Sequence, residues 1–293
     1  MGRARPEVKQ EVYEIRKAAA ALERIWKDNR MMKREVWDGK FTQKTAKGTP
    51  LPKVSLCTTS MNRLHNIRAT LPKNIQDNLD YLPNVEFVLL DYNSFDGLDI
   101  WVKENMMPYI ESGILNYYRT EEPRHYSMSH SRNVAFKVAQ GKIVNNIDAD
   151  AYTNAGFAAY VARLSLERSE RAFFAKSRQL LRGRLGFYKD EFIELLGGYN
   201  EELQGYGHDD QDLMIRAWEM EFKMMAFRGS FSGCVDDHIK HESGNYKEDW
   251  WWTECRNRLI SWTNIFLGKL KANEGREWGK AKLIKNFTEE VEV

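Results

Sequence analysis

The chain of 293 residues has little cysteine: Cys57, Cys234 and Cys255 are odd in number and lack metal-like spacing. A disulfide framework and a zinc knuckle are therefore both unsupported. It has no window approaching the roughly 18 uncharged apolar residues that a membrane-spanning helix needs. The opening MGRARPEVKQEVYEIRK has no apolar core of the kind a signal peptide carries, so an intracellular, cytoplasmic location is the expectation. Internal repeats and low-complexity tracts are absent. Net charge is nearly absent too: 44 Lys and Arg against 42 Asp and Glu give +2, too balanced to demand a nucleic-acid partner. The balance hides an asymmetry, because residues 1–53 hold fourteen basic side chains and only seven acidic ones. Such a segment suits a solvated helix face or contact with phosphate or anionic lipid.

What is present is ordered by hydrophobic period. Val8, Val12, Ile15, Ala19, Leu22 and Trp26 recur at spacings of four and three, which predicts an amphipathic helix from about residue 6 to residue 35. Its stripe has two uses: docking on the main domain, or pairing with another copy to give a homo-oligomer. Gly39, Gly48, Pro50 and Pro52 then break the period, marking a linker. From Lys53 the pattern alternates. KVSLCTT, VEFVLLDYNS, ILNYYRT and KIVNNIDAD read as strands, with helices over RLHNIRATLPKNIQDNL, GLDIWVKENMMPYIES and SMSHSRNVAFKVAQG between them. That alternation predicts an α/β fold: a mostly parallel central sheet with helices on both faces. The segment from Phe173 to Phe222 reads as loop and then helix, KMMAFRG as a strand, and the aromatic-rich end as helical. Three regions follow: a basic N-terminal helix and linker (1–52), a catalytic domain (53–245) and a helical C-terminal extension (246–293).

Ligands bind such sheets at the carboxyl ends of the strands. Thr58 to Arg63, Asp91 to Gly97 and Asp148 to Asp150 all fall there. Two carboxylates one residue apart, Asp148 and Asp150, can hold a hard divalent cation through oxygen, leaving positions open for a substrate diphosphate. DDHIKHES adds His238 and His241, and imidazole beside carboxylate favours Mn2+ over Mg2+. In GYGHDDQDLMIRAWE, Gly205 and Gly207 permit a tight turn before Asp209, Asp210 and Asp212. These acids suit a helix N-terminus, and one of them could equally be a general base.

The ordered set VSLCTTSMNR, FVLLDYNSFDG, SRNVAFKVAQGKIVNNIDAD, GYNEELQGYGHDDQDLMIR and HIKH resembles the nucleotide-sugar glycosyltransferases of the GT-A fold. The likeness is to family 2 and to the galactosyltransferase-like enzymes with a G-W-G-x-E-D motif, over roughly residues 53–245. The resemblance implies a metal-dependent inverting transferase with Mn2+ or Mg2+ as cofactor. Asp148 and Asp150 match its D-x-D pair, with Asp150 the direct ligand; His241, with His238, matches its metal-binding histidine. Asp210 matches the base and Asp209 its sugar-contacting neighbour, while Tyr206 stands where relatives carry a sugar-stacking Trp. Thr59, Arg63 and Arg132, the last beside Asn133, match donor-binding positions. At the second strand the family's D-D-x-S is replaced by Asp91, Tyr92, Asn93 and Ser94, so the base is left to Asp91 or Tyr92, with UDP as the expected nucleotide.

The expected reaction moves a sugar from a nucleoside diphosphate to a hydroxyl acceptor, a glycan in the first instance. One alternative makes the acceptor a modified base in DNA, motivated by the basic N-terminus and by Trp250, Trp251 and Trp252, since cationic and aromatic groups together grip nucleic acid. Another is a sugar- or nucleotide-binding protein without turnover, which would not require a base. A third is nucleotidylyl transfer on a similar sheet.

Overall fold

A computed structural model describes residues 6–30, 36–37, 50–168, 170–176, 184–227, 229–231, 233–235 and 243–293. In chain order the elements are α1 (Pro6–Arg30), β1 (Val36–Trp37), β2 (Val54–Ser60), α2 (Leu64–Gln76), β3 (Val85–Tyr92), α3 (Leu98–Asn105), α4 (Met107–Glu111), β4 (Leu115–Thr120) and α5 (Met128–Val138). They continue with β5 (Ile143–Asn146), α6 (Phe157–Leu166), β6 (Ala172–Ala175), β7 (Gly186–Tyr188), α7 (Asp209–Glu219), β8 (Lys223–Ala226), α8 (Trp250–Phe266), β9 (Lys282–Lys285) and β10 (Glu289–Glu292).

The strands form one sheet in the order β1-β8-β6-β7-β5-β2-β3-β4-β9-β10. Its centre, β5-β2-β3-β4, is parallel. Every residue of β2 and β3 is buried, as expected for strands covered on both faces. Because successive side chains alternate across a strand, each strand feeds two cores. Leu56, Phe87 and Leu89 join Ile67, Leu71 and Phe157 of α2 and α6 on one face. Cys57, Val88 and Leu90 join Val134 and Phe136 of α5 and Leu213 of α7 on the other.

The central strands are parallel as expected, and antiparallel strands flank them: β7 runs antiparallel to both β5 and β6, and β9 runs antiparallel to β4 and β10. Several sequence expectations are corrected. The loop expected after Phe173 contains β6 and β7, apolar runs of four and three residues, too short to carry a readable period. The C-terminal extension is helical only through α8; β9 and β10 form a hairpin that extends the sheet. At the opposite edge β1 pairs with β8, so strands outside 53–245 complete the sheet on both sides. The helix over residues 98–112 is two helices that meet at Met106.

The stripe of α1 docks on this chain. Ala19 is fully buried with Ile215 of α7 and with Trp262 and Ile265 of α8. Polar contacts fix the register: Arg16 Nε donates to Cys255 Sγ at 2.9 Å, and Glu23 pairs with Arg258 at 2.8 Å. Residues 31–35 of the expected helix and 38–49 of the expected linker lie outside the described residues.

Candidate active site

At the carboxyl end of β5 the chain turns through Asp148, Ala149 and Asp150. Two residues of α2 hold that turn: Thr70 Oγ1 donates to the Ala149 carbonyl at 2.7 Å, and Asn74 Nδ2 donates to the Ala151 carbonyl at 2.9 Å. Ala149 is buried against the helix, which accounts for a small residue between the two acids. Asn146 Nδ2 donates to Asp148 Oδ1 at 2.9 Å.

Opposite, α5 opens with Ser127, whose hydroxyl accepts from His130 N, satisfying a helix N-terminal donor. The next turn delivers Arg132, whose side chain is 2% exposed. Its Nη2 donates to Asp148 Oδ1 at 2.9 Å, and its Nη1 donates to Asp210 Oδ1 at 3.1 Å and also to Asp209 Oδ2. The guanidinium faces the Tyr199 ring, 5.5 Å from its centroid. Asn133 accepts from Tyr199 N at 2.8 Å and so fixes that tyrosine beside the cluster.

Asp209 and Asp210 reach Arg132 because the chain reverses at the head of α7. Gly205 has φ +74°, Gly207 φ +95° and His208 φ +68°, a left-handed series that glycine adopts at least cost. Space demands glycine as well: a Cβ on Gly207 would lie 2.8 Å from Glu254 Cγ of α8. Thr253 and Asn257 of α8 bind the turn through Tyr206 N and the Gly207 carbonyl. The Tyr206 ring meets Tyr246 and Trp250 edge to face, at 5.8 and 6.2 Å.

The donor-loop residues are placed unequally. Thr59 Oγ1 lies 2.6 Å from Tyr126 Oη. Arg63 stands at the start of α2, and its charge, with that of Arg184, acts on Asp150. Asp91 is the exception: it is wholly buried, with Oδ2 accepting from Arg119 at 2.6 Å and Tyr117 at 2.9 Å, and Oδ1 accepting from Ser94 N at 2.8 Å. Its carboxylate is consumed inside the protein. Asp91, one of the two residues expected at the donor base, holds Ser94, whose hydroxyl accepts from Asn62 N at 3.0 Å. His238 and His241 lie in 236–242, outside the described residues.

The electrostatics follow from burial. Desolvation pushes Asp210 up to about 7, with Asp209 and Asp148 adding to the rise while Arg132 and the Tyr199 hydroxyl oppose it. Asp209 is also raised, chiefly by burial, against the pull of Arg132. Burial works against the charge of Arg132, but Asp209, Asp210 and Asp148 hold its pKa well above the ordinary value. Asp150 is raised by burial and by Asp148, against the pull of Arg63 and Arg184. An all-oxygen pair suits a hard divalent cation, so Asp148 and Asp150 fit that group, with Asp148 already shared by Arg132. Among the described residues no three metal-binding side chains converge.

Sequence reasoning missed Tyr199, Tyr126, Tyr246 and Arg184. Tyr199 donates to Asp210 Oδ1 at 3.1 Å. Arg184, 1% exposed, donates to the carbonyls of Tyr152 and Gly233 and clamps the segment after Asp150 against residues 233–235. Tyrosine and arginine fit too many settings for their type alone to signal these contacts.

Comparison with known proteins agrees with this architecture. Residues 163–242 match the family model described as the N-terminal domain of galactosyltransferase. No curated protein matches the sequence. Among solved structures, the mannosyltransferase PcManGT from Pyrobaculum calidifontis, in complex with GDP-Man and Mn2+, is 21% identical with a TM-score of 0.55, over 77% of this chain and 70% of that one. TarS 1-349 of S. aureus, in complex with UDP-GlcNAc, is 17% identical with a TM-score of 0.52, over 66% of this chain and 61% of that one. GalNAc-T7 with UDP, GalNAc and Mn2+ is 16% identical with a TM-score of 0.52, over 74% of this chain and 50% of that one. The chain thus spans less than two thirds of the TarS and GalNAc-T7 chains. Identities this low speak for the fold, and with the matched segment they lead to one conclusion: the chain has the GT-A fold and carries a segment similar to the N-terminal domain of galactosyltransferase.

Proposed function

We propose that the protein is an inverting transferase that moves a sugar from a nucleoside diphosphate, UDP in the first instance, to a hydroxyl of a glycan. The observation that carries this reading is the single buried guanidinium of Arg132 shared by Asp148, on the strand-end turn, and by Asp209 and Asp210, at the head of α7. It joins through one side chain two acidic sites that lie about sixty residues apart in the chain. Similar folds solved with GDP-Man and Mn2+, and with UDP, GalNAc and Mn2+, support the metal-dependent nucleotide-sugar part of the reading.

Asp150, with Asp148, would hold Mn2+ or Mg2+, with His238 and His241 as further ligands. When bound, the ion supplies positive charge to the departing diphosphate. Arg132 keeps Asp148 and the Asp209–Asp210 pair at fixed separation, so that leaving-group and acceptor sides stay in register. Asp210 takes the proton of the acceptor hydroxyl as that oxygen bonds to the anomeric carbon and the bond to diphosphate breaks. Its Oδ1 already accepts from Arg132 and Tyr199, which leaves Oδ2 for the proton. Tyr206 and Asp209 line the acceptor side, and Thr59 and Arg63 the donor side.

The test is release of UDP from a panel of UDP-sugars, followed with and without chelator and again after adding Mn2+. Turnover that ignores chelation, or that survives in Asp150→Ala, would remove the reading. Binding without turnover across donors and acceptors would leave a sugar- or nucleotide-binding protein. Pyrophosphate release from a nucleoside triphosphate would identify nucleotidylyl transfer instead.

A further inference from the structure

Beside the carboxylate cluster the chain builds a row of aromatic rings in edge contact. Tyr92 meets Tyr126 at 5.7 Å, Tyr126 meets Tyr246 at 5.9 Å, Tyr246 meets Tyr206 at 5.8 Å and Tyr206 meets Trp250 at 6.2 Å. The row is anchored at Thr59 by the Tyr126 hydroxyl and ends at Trp250, which is 43% exposed. The charges of Asp209 and Arg132 act on both Tyr206 and Tyr246, so the row borders the proposed catalytic carboxylates.

A cavity of about 330 Å³ opens where this row reaches Tyr126, lined by His125, Tyr126, Gln204, Thr253, Lys247 and Arg256 among others. Its charged groups lean to one sign. Glu248, the one acid in the lining, is tied to Arg256 Nη1 at 2.7 Å, which leaves the remaining guanidinium nitrogens to other partners. Lys247 makes no ion pair among the described residues. His125 Nδ1 is buried and finds no hydrogen-bond partner among them. A buried polar nitrogen left unpaired costs free energy until something supplies its partner. The Tyr126 ring suits the apolar face of a pyranose ring, while Thr253 and Gln204 are tied to backbone groups at Tyr206 and Glu201. What this lining does not explain is two cations and an unsatisfied imidazole at one mouth.

We propose that this cavity is a remote acceptor subsite for a sugar bearing an anionic group, a carboxylate as in a uronic acid or a phosphate ester, held by Lys247, Arg256 and His125 against Tyr126. The subsite rests on the transferase reading for its place in a reaction. It names the acceptor's chemical class, which the carboxylate cluster does not.

The test uses the full chain and three probes at low salt: methyl glucuronide, glucose 6-phosphate and the neutral methyl glucoside, with affinities measured by titration calorimetry or saturation-transfer NMR. At least one anionic probe is expected to bind about fivefold more tightly than methyl glucoside, the scale of about 1 kcal/mol for a partly exposed ion pair. The tighter of the two anions identifies the source. In a Lys247→Glu, Arg256→Gln double variant the preference is expected to vanish, with a melting curve as cooperative as the native one. If that variant unfolds, the single Lys247→Gln change at an exposed side chain must reduce the preference instead. Equal binding of all three probes, or a preference that survives both variants, overturns the proposal. Donor cleavage by the native chain is followed alongside. Cleavage without anion preference sinks the subsite alone, and anion preference without cleavage sinks the transferase reading alone.

Discussion

Tyr199 donates its hydroxyl to Asp210 Oδ1 at 3.1 Å, and the same oxygen accepts from Arg132 Nη1 at 3.1 Å. The carboxylate is thereby gripped through one oxygen, and Oδ2 accepts no hydrogen bond among the described residues. A base that must take a proton needs an uncommitted oxygen. Tyr199 and Arg132 together decide which one that is.

Asp210→Asn tests the base directly. The amide keeps an oxygen for Tyr199 and Arg132 but cannot take a proton. Turnover should fall by about a thousandfold, within the usual range for a lost general base, while donor nucleotide still binds. Initial rates beside calorimetric titration of UDP separate the two quantities. An Asn variant with native turnover removes Asp210 from the mechanism.

The same substitution should stabilise the fold at high pH. Asp210 is held up to about 7, against an ordinary value of 3.8, chiefly by burial. Below the ordinary value both folded and unfolded chains carry the proton. Between the two values the folded chain alone retains it, so stability falls as pH rises toward 7 and stays lower beyond. Asp210→Asn removes that penalty, and melting temperature at pH 8 should rise by about 2–4 °C for a gain near 1 kcal/mol. The gain should shrink as pH is lowered toward 4.

Tyr199→Phe should move the acid limb of the rate profile. The Tyr199 hydrogen bond favours ionised Asp210, so its loss raises the pKa of the base. The native rate should decline as pH falls through about 7, and the variant should begin its decline at higher pH. A profile of kcat/KM from pH 5.5 to 9 reads the change. A limb that does not move would assign the titration to another group.

Asp150→Asn should weaken Mn2+ binding by more than about tenfold, as read by electron paramagnetic resonance of the free ion. In the native chain, EDTA should stop turnover and Mn2+ should restore it. Unchanged Mn2+ binding would move the cation away from the turn that follows β5.

Ala19→Glu probes the docking of α1. Ala19 is fully buried against Ile215, Trp262 and Ile265, and an unpaired carboxylate there costs more than the helix contact returns. Melting temperature should fall by about 5 °C or more, and limited proteolysis should cleave within α1. Because α8 also binds the turn at Gly207, the change is also expected to loosen Asp209 and Asp210 and lower turnover.

Some of this was legible along the chain. VEFVLLDY is a nearly continuous apolar run, and a strand buried on both faces needs little else to declare itself. The acids after β5 and the glycines before α7 also stand out locally, since a turn and a strand end are short-range features. Other parts were not legible for a definite reason. β6 and β7 have too few residues for a period, and each takes its direction from a neighbour distant in sequence: β7 from β5, and β6 from β8. Asp91 resembled a ligand-binding acid in sequence, yet its strand partner across the sheet is Arg119, which neutralises it in the interior.

By itself the sequence determined the α/β alternation, the amphipathic first helix and the chemical types at the strand ends, because hydrophobic period and turn chemistry act over a few residues. Tertiary structure decided which acids share a charge. Arg132 meets Asp148, Asp209 and Asp210 only after α5, the turn following β5 and the head of α7 have packed at the carboxyl end of the central strands, and burial there lifts Asp210 to about 7. Coulomb attraction and desolvation depend on distance and on exclusion of water, and both are properties of the folded arrangement.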